Sequence, residues 1–243
     1  MERLSLSQSP QLIGLSLNHC SNLLEIQGLN LEAIPFIEMI GCDNLPSNFW
    51  TNLLQDLSTP SATERLVCFP GREVPNWFSH QRIGSSISFR VPSLSEGEIR
   101  MLLICAVCSY MQNGNTPDLD VIIHNKTRNF RHLLVSIPVE HCAKFSHNLF
   151  LFQAPVIRNK LKTVDFPEKE MEMFSGEEIE VSFNNWGSGY NEVSKCGVHL
   201  LLEKPNDNNG SMVQYLRYDT AEDDEMSAAA DDNEISFHSE VDD

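Results

Sequence analysis

Basic residues are scarce in this sequence: 17 Lys and Arg stand against 34 Asp and Glu, giving a formal charge of −17 over 243 residues. Affinity for nucleic acid comes from neutralised phosphates, and anionic lipid is held by the same kind of cation cluster, so the lack of a Lys/Arg stripe argues against both partners. Long apolar runs are missing too. The longest, Met101 to Val107, falls far short of the ~20 residues that span a bilayer. The opening Met-Glu-Arg-Leu-Ser-Leu-Ser has no apolar core after its charge, so it does not read as a signal peptide. These absences predict a protein of the cytoplasm or nucleus with no membrane insertion. The cysteines number seven, an odd count without the dense spacing of a secreted disulfide framework, which suits a reducing compartment. Asn125-Lys-Thr and Asn209-Gly-Ser match the glycosylation triplet, but without secretion they carry no weight.

Catalytic constellations are equally sparse. Cys105-Ala-Val-Cys108 is a C-x-x-C, yet positions three apart in a strand face opposite ways, so one redox or zinc site cannot use both. A cupin-like metal site needs an H-x-H pair; His124 with His132 and His141 with His147 are the nearest approaches, and neither has that spacing. Glu168-Lys-Glu170-Met-Glu172 and Glu177-Glu178 are interspersed with Lys and flanked by Gly, as solvated loop edges are. There is no G-x-S-x-G elbow. The expectation is no enzyme activity, no cofactor and no metal.

What the chain does contain begins with a repeat. Residues 12–26 follow the leucine-rich-repeat frame, L-x-x-L-x-L-x-x-C-x-x-L, and a shift of 22 residues places Ile34, Ile37, Met39, Cys42 and Leu45 where Leu12, Leu15, Leu17, Cys20 and Leu23 stood. Leu15 and Leu17, two apart on a short strand, both point inward, and Cys20 turns in at the strand's end. His19-Cys20 and Cys42-Asp43 are accordingly repeat-core residues rather than metal ligands. Two repeats do not close a stable solenoid, since about three or more are needed. The segment is expected to be the end of a longer array, in a fragment or a truncated relative of a larger protein.

Phe49-Trp50, Leu53, Leu54 and Leu57 then fall at helical spacing, predicting a helix that stops before Pro60 and caps the last repeat. From residue 65 the period becomes two: Ile87–Val91, Leu119–Ile123 and Ile179–Phe183 alternate, while Met101–Val107 is apolar on both faces, as a central strand is. Leu149–Phe152, Gly197–Leu202 and Met212–Tyr218 are further strand candidates. The fold class is therefore mainly β: terminal repeats at 1–45, a capping helix and linker at 46–64, an antiparallel jelly-roll or immunoglobulin-like sandwich at 65–220, and a disordered tail at 221–243. That tail holds ten acids and no Lys or Arg from Glu222 onward, leaving −7 for the rest.

Residues 68–91 read CFPGREVPNWFSHQRIGSSISFRV. Pro70-Gly71 is expected to form a tight turn with Gly71 free to take positive φ; Pro75 ends the extension after it. Trp77 and Phe78 are large groups expected to bury where the two sheets meet the last repeat. Gly84-Ser-Ser turns the chain into the strand Ile87–Val91. This stretch closely resembles the opening of the C-terminal jelly-roll/Ig-like domain (C-JID) that follows the leucine-rich repeats of plant TIR–nucleotide-binding–leucine-rich-repeat resistance receptors. Leu103–Val107, His147–Phe152, Glu180–Phe183 and Val193-Ser-Lys-Cys196-Gly197-Val198 extend the resemblance in family order. In that family the TIR domain cleaves nicotinamide dinucleotides and a second domain switches on ADP/ATP exchange. Neither region is present here, there is no G-x-x-x-x-G-K-[ST] loop, and neither activity carries over.

The resemblance implies a non-catalytic recognition module of an intracellular immune receptor, with a pathogen effector or host protein as partner. Asn113, Asn115, Trp186 and Tyr190 are the candidate contact residues, because exposed Trp and Tyr bring large contact area at modest entropic cost. Two alternatives stand beside it. One is a truncated adaptor or decoy pairing with a full-length receptor. The other, by fold analogy alone, is a carbohydrate-binding jelly roll.

Overall fold

The computed structural model describes residues 2–6, 12–93, 98–110, 118–137, 147–158, 160–161, 171–185, 191–203 and 213–215. The chain opens as a coil that climbs one rung every 22 residues. Strand β1 (Arg3–Ser5) pairs in parallel with β3 (Glu25–Gln27), Arg3 opposite Glu25; β2 (Leu15–Ser16) pairs in parallel with β4 (Phe36–Glu38), Leu15 opposite Ile37. Both ladders thus carry the offset at which the sequence matches itself. Ile34, Ile37, Met39, Cys42 and Leu45 are all buried. Of their counterparts one rung earlier, Leu23 is buried while Leu12, Leu15, Leu17 and Cys20 are half-buried. Cys42 donates its thiol to the Leu17 carbonyl at 3.1 Å, and burial with Cys20 beside it pushes its pKa up to about 11. Such a thiol is packing material, not a nucleophile.

Helix α1 (Ser47–Leu57) follows. Its apolar stripe buries Leu53 and Leu57, and the Trp50 ring stacks on Phe69 with centroids 5.4 Å apart. The next strand, β5 (Arg65–Pro70), takes the next rung: Leu66 lies opposite Phe36, Val67 opposite Ile37 and Cys68 opposite Glu38. This rung spans 30 residues instead of 22 because the helix is inserted in it. β5 belongs equally to what comes next, since its other edge pairs antiparallel with β11 (His147–Ile157).

The remaining strands are β6 (His80–Ile83), β7 (Ser86–Arg90), β8 (Glu98–Tyr110), β9 (Leu119–Asn125), β10 (Phe130–Ile137), β12 (Lys160–Leu161), β13 (Met171–Glu172), β14 (Glu178–Asn185), β15 (Asn191–Glu203) and β16 (Val213–Tyr215). The large sheet runs β16-β15-β8-β11-β5-β4-β2, with β6 also on β15 and β12 linking β11 to β13; a second sheet runs β10-β9-β14-β7. The protein is mainly β, with one α-helix among the described residues.

Period-two alternation assigns the two faces of the large sheet to two cores. From β8, Leu102, Ile104, Ala106 and Cys108 pack with Ile87, Phe89, Val121, Ile123, Ile179 and Val181 of the small sheet. On its opposite face Met101, Leu103, Cys105 and Val107 join Ile37, Met39, Leu53, Leu57, Val74 and Phe78. β8 is covered on both sides, which is why its sequence shows an unbroken apolar run. Each Val, Leu, Ile, Phe or Met side chain among these contributes about 1.5–3 kcal/mol when taken from water.

The motif at 68–91 departs from expectation in two places. Gly71 does not have positive φ, unlike Gly84 at +109°. Its missing Cβ matters instead because one would stand 2.9 Å from Leu149 Cβ, so Gly71 is a close-approach glycine after β5 and not the pivot of a left-handed turn. Trp77 and Phe78 join the core shared with the last repeat, as expected, but only from the large sheet, the small sheet lying on its other side. They lie on the outer face of the large sheet, where Phe78 is buried and Trp77 half-buried, beside Gly197 and His199 of β15. The reason is that β6 pairs with β15, which draws the preceding segment across that face. Pro75 does end the extension: its carbonyl accepts from Phe78 N–H at 3.0 Å and from Gln81 Nε2 at 3.2 Å.

Candidate functional site

Strand direction gathers one set of chain ends together. Asn148 lies opposite Pro70, His147 opposite Ser109, Asn191 opposite Tyr110, and Leu119 opposite both Asn185 and Ile137. The strand ends that border residues 111–117, 138–146 and 186–190 therefore lie at a single end of the sandwich. Because β4 runs parallel to β5 with Glu38 opposite Cys68, the C-terminal ends of the coil strands reach this end as well. The four candidate contact residues, Asn113, Asn115, Trp186 and Tyr190, fall outside the described residues.

Beside that end the coil carries a polar cluster. Ser16 and Glu38 are cross-strand neighbours. The Glu38 carboxylate, 3% exposed, accepts from Ser16 Oγ at 3.1 Å and Asn18 Nδ2 at 2.9 Å, while Asn18 Oδ1 takes the Ile40 N–H at 3.0 Å. Alternation puts these side chains on the face opposite Ile37 and Met39, the face that Ile40, Leu66 and Cys68 share with the sandwich core. Sequence reasoning passed them over. The signal was available in the repeat offset, which carries Ser16 to Glu38 on one face as surely as Leu15 to Ile37 on the other.

Cys196 and Gly197 lie on β15, where Phe78 packs against Gly197, whereas Pro70 and Gly71 lie at the end of β5 against Asn148 and Leu149 of β11. Cys196 is fully buried and faces the inter-sheet core, and burial raises its thiol pKa to about 11. Gly197 lies where a Cβ would come 2.6 Å from Val74 Cγ1 and 3.0 Å from Phe78 Cδ1. His199, with no exposed surface, accepts the Ser79 N–H on Nδ1 at 3.2 Å and meets the Trp77 ring edge-on at 5.4 Å. Burial, with His80 nearby, lowers its pKa to about 4, so at neutral pH it is an uncharged packing group.

The C-x-x-C divides as its spacing predicts: Cys105 packs on the outer face and Cys108 between the sheets. Desolvation, with Cys108 and Cys196 near, holds the Cys105 thiol well above its usual pKa. Both thiols are expected to resist alkylation in the folded protein and react fully in denaturant, which a mass-spectrometric thiol count checks. Rapid labelling of both in native buffer contradicts the assignment.

The opposite end of the sandwich is built of closed charge pairs. Glu177 accepts from Phe174 N–H at 3.0 Å and Asn125 Nδ2 at 2.8 Å and pairs with Arg128 Nε at 2.5 Å. Although burial opposes it, these donors hold the Glu177 carboxyl below the usual range. Arg128 also lies over the Phe174 ring at 4.1 Å, and Lys160 reaches Glu172 at 3.8 Å. The groove lined by Asn125, Arg128, Phe130, Lys160, Met171 and Glu172 therefore balances its own charges and offers no bare cation to an anionic ligand. Among the described residues no three His, Cys, Asp or Glu side chains gather where a metal ion could be held, and no helix is long and apolar enough to cross a membrane. No curated protein sequence matches the chain. Residues 69–207 match the C-JID domain, and the chain belongs to that family, the domain that follows the leucine-rich repeats in plant resistance proteins of the TIR-NB-LRR type.

Proposed function

We propose that the protein is the non-catalytic recognition end of an intracellular plant immune receptor and that it binds a pathogen effector or a host protein. In this reading the 22-residue coil at 1–45 is the end of a leucine-rich-repeat array, α1 and the linker at 46–64 cap it, and 65–220 form the jelly-roll/Ig-like sandwich. Residues 221–243, acidic in composition, lie outside the described residues. The observation that supports it is the convergence of the strand ends bordering residues 111–117, 138–146 and 186–190 with the coil's strand ends at one end of the sandwich, beside the Ser16–Asn18–Glu38 cluster. Connections held at one end of a rigid sandwich are where binding residues accumulate. The buried interior has the raised thiol pKa values and neutral histidine of packing, not of chemistry.

A photo-crosslinking residue placed in turn at Asn113, Asn115, Trp186 and Tyr190 is expected to capture one common partner in infected tissue, while the same residue at Phe174, at the opposite end, does not. With that partner in hand, Trp186→Ala and Tyr190→Ala are each expected to weaken binding about tenfold or more, the scale of an interface hot spot. Equal capture from Phe174, or unchanged affinity in folded variants, rejects the proposal.

A further inference from the structure

The coil and the sandwich meet through three parallel residue pairs between β4 and β5 and through a shared apolar core. Apolar contact is non-directional and tolerates small slides and rotations. Two polar side chains lie buried in this junction and supply direction. Gln153 of β11 has no exposed surface; its Nε2 donates to the Leu57 carbonyl, an end group of α1 with no intrahelical donor, and at 3.4 Å to the Thr59 carbonyl just beyond the helix. Its Oε1 accepts from Arg65 Nη1 at 3.4 Å. Arg65 is 4% exposed, and its Nε has no hydrogen-bond acceptor among the described residues. No carboxylate comes within ion-pair distance of it among them; Glu32 acts only as a more distant charge, against the desolvation that lowers the guanidinium pKa.

A cation buried with so little compensation is a poor source of stability, and an apolar side chain of similar volume would fill the space as well or better. What Arg65 does supply is orientation. By occupying Oε1 it fixes which way the Gln153 amide faces, so the NH2 group is presented to the end of α1. That bond is made in one docking pose of helix against sheet. We infer that Arg65 and Gln153 are positioning residues: they hold the coil at one angle to the sandwich, so that the Ser16–Asn18–Glu38 surface keeps a fixed place beside the strand ends at Pro70, Leu119 and Asn185. The use of that surface rests on the function proposed above; the geometry does not.

The test therefore needs no partner. Spin labels at Asn22 on the coil and Arg90 on the small sheet are introduced in the full chain, and their distance distribution is recorded with amide exchange. The unaltered junction is expected to give one narrow distance. Arg65→Met and Gln153→Leu are expected to broaden it about twofold and to speed exchange at the end of α1 about tenfold, as local opening does, with the centre of β8 unaffected. Arg65→Lys, which keeps a donor to Oε1, is expected to restore the narrow distance. A narrow distance in both apolar variants overturns the inference, as does exchange that rises equally across β8. Should Gln153→Leu fail to fold, the contrast between Arg65→Met and Arg65→Lys decides. Loss of partner binding at Trp186 with an intact narrow distance, or the reverse, separates this inference from the functional one.

Discussion

Replacing Gly197 with alanine is expected to cost about 3 kcal/mol of folding stability, at the upper end of what overpacking a core costs, and to lower Tm by roughly 6–12 °C for a chain of this size. The position has no slack. A Cβ there meets Val74 Cγ1 at 2.6 Å, Phe78 Cδ1 at 3.0 Å and the His80 carbonyl oxygen at 3.3 Å. None of the three is the free end of a flexible chain: Val74 and Phe78 are buried, and His80 is held in the β6–β15 ladder. Widening that space means moving the whole segment from Val74 to His80 off the sheet, with Phe78 and the Ser79–His199 bond carried along. The mechanism is separable from mere intolerance of substitution in β15. Val74→Ala removes the closest atom, so the pair Val74→Ala with Gly197→Ala is expected to cost clearly less than the two single changes summed. Strict additivity in chemical denaturation would show that the clash lies elsewhere.

How much of this was legible beforehand depends on what each element faces. Ile87–Val91 and Ile179–Phe183 announce themselves because one face packs and the other keeps some exposure, the condition under which alternation is written into a sequence; Leu119–Ile123 alternates as well, although its Asp120 is buried. β5 and β10 give no such signal. Arg65-Leu-Val-Cys-Phe is buried on both faces, and the ladder of β10 shifts register between Leu133 and Val135, which breaks its period. β6, His80-Gln-Arg-Ile, has three exposed residues out of four and exists because β15 offers it an edge. The coil was legible because a fixed offset survives in both sequence and ladder, whereas its fusion to the sandwich was not. β5 takes a rung of the coil and a place in the sandwich at once, and the family match begins inside it, at residue 69. The Arg65–Gln153 contact spans 88 residues of chain, so no local pattern reports it. The motif at 68–91 carries a structural signature, but what its residues press against comes only from tertiary pairing.

Acidification is expected to weaken the fold well before the carboxylates titrate. His199 has its pKa lowered to about 4 by burial, with His80 nearby, and His80 is itself lowered by burial. In the unfolded chain both take up protons near pH 6.5. A group whose folded pKa is depressed in this way stabilises fully above the unfolded value, and its contribution falls as pH drops toward the folded value. For His199 that window runs from about pH 6.5 down to about pH 4. At about 1.4 kcal/mol per pH unit the loss sums to about 3 kcal/mol, with His80 adding in the same direction. The structural reason is local: protonating His199 places a charge among Trp77, Phe78 and His80, with its Nδ1 already committed to accepting the Ser79 N–H. Urea midpoints measured at half-unit steps between pH 7.5 and pH 4.5 (a spacing set by the slope above) are expected to stay level down to about pH 6.5 and to fall steadily below it. His199→Gln, whose side-chain oxygen can accept the same N–H, is expected to flatten most of that decline while leaving the two-state character of unfolding intact. An equally steep decline in the variant would mean that the acid sensitivity belongs to other groups, the Glu177 carboxylate with its depressed pKa being the first to suspect at the lower end of the range.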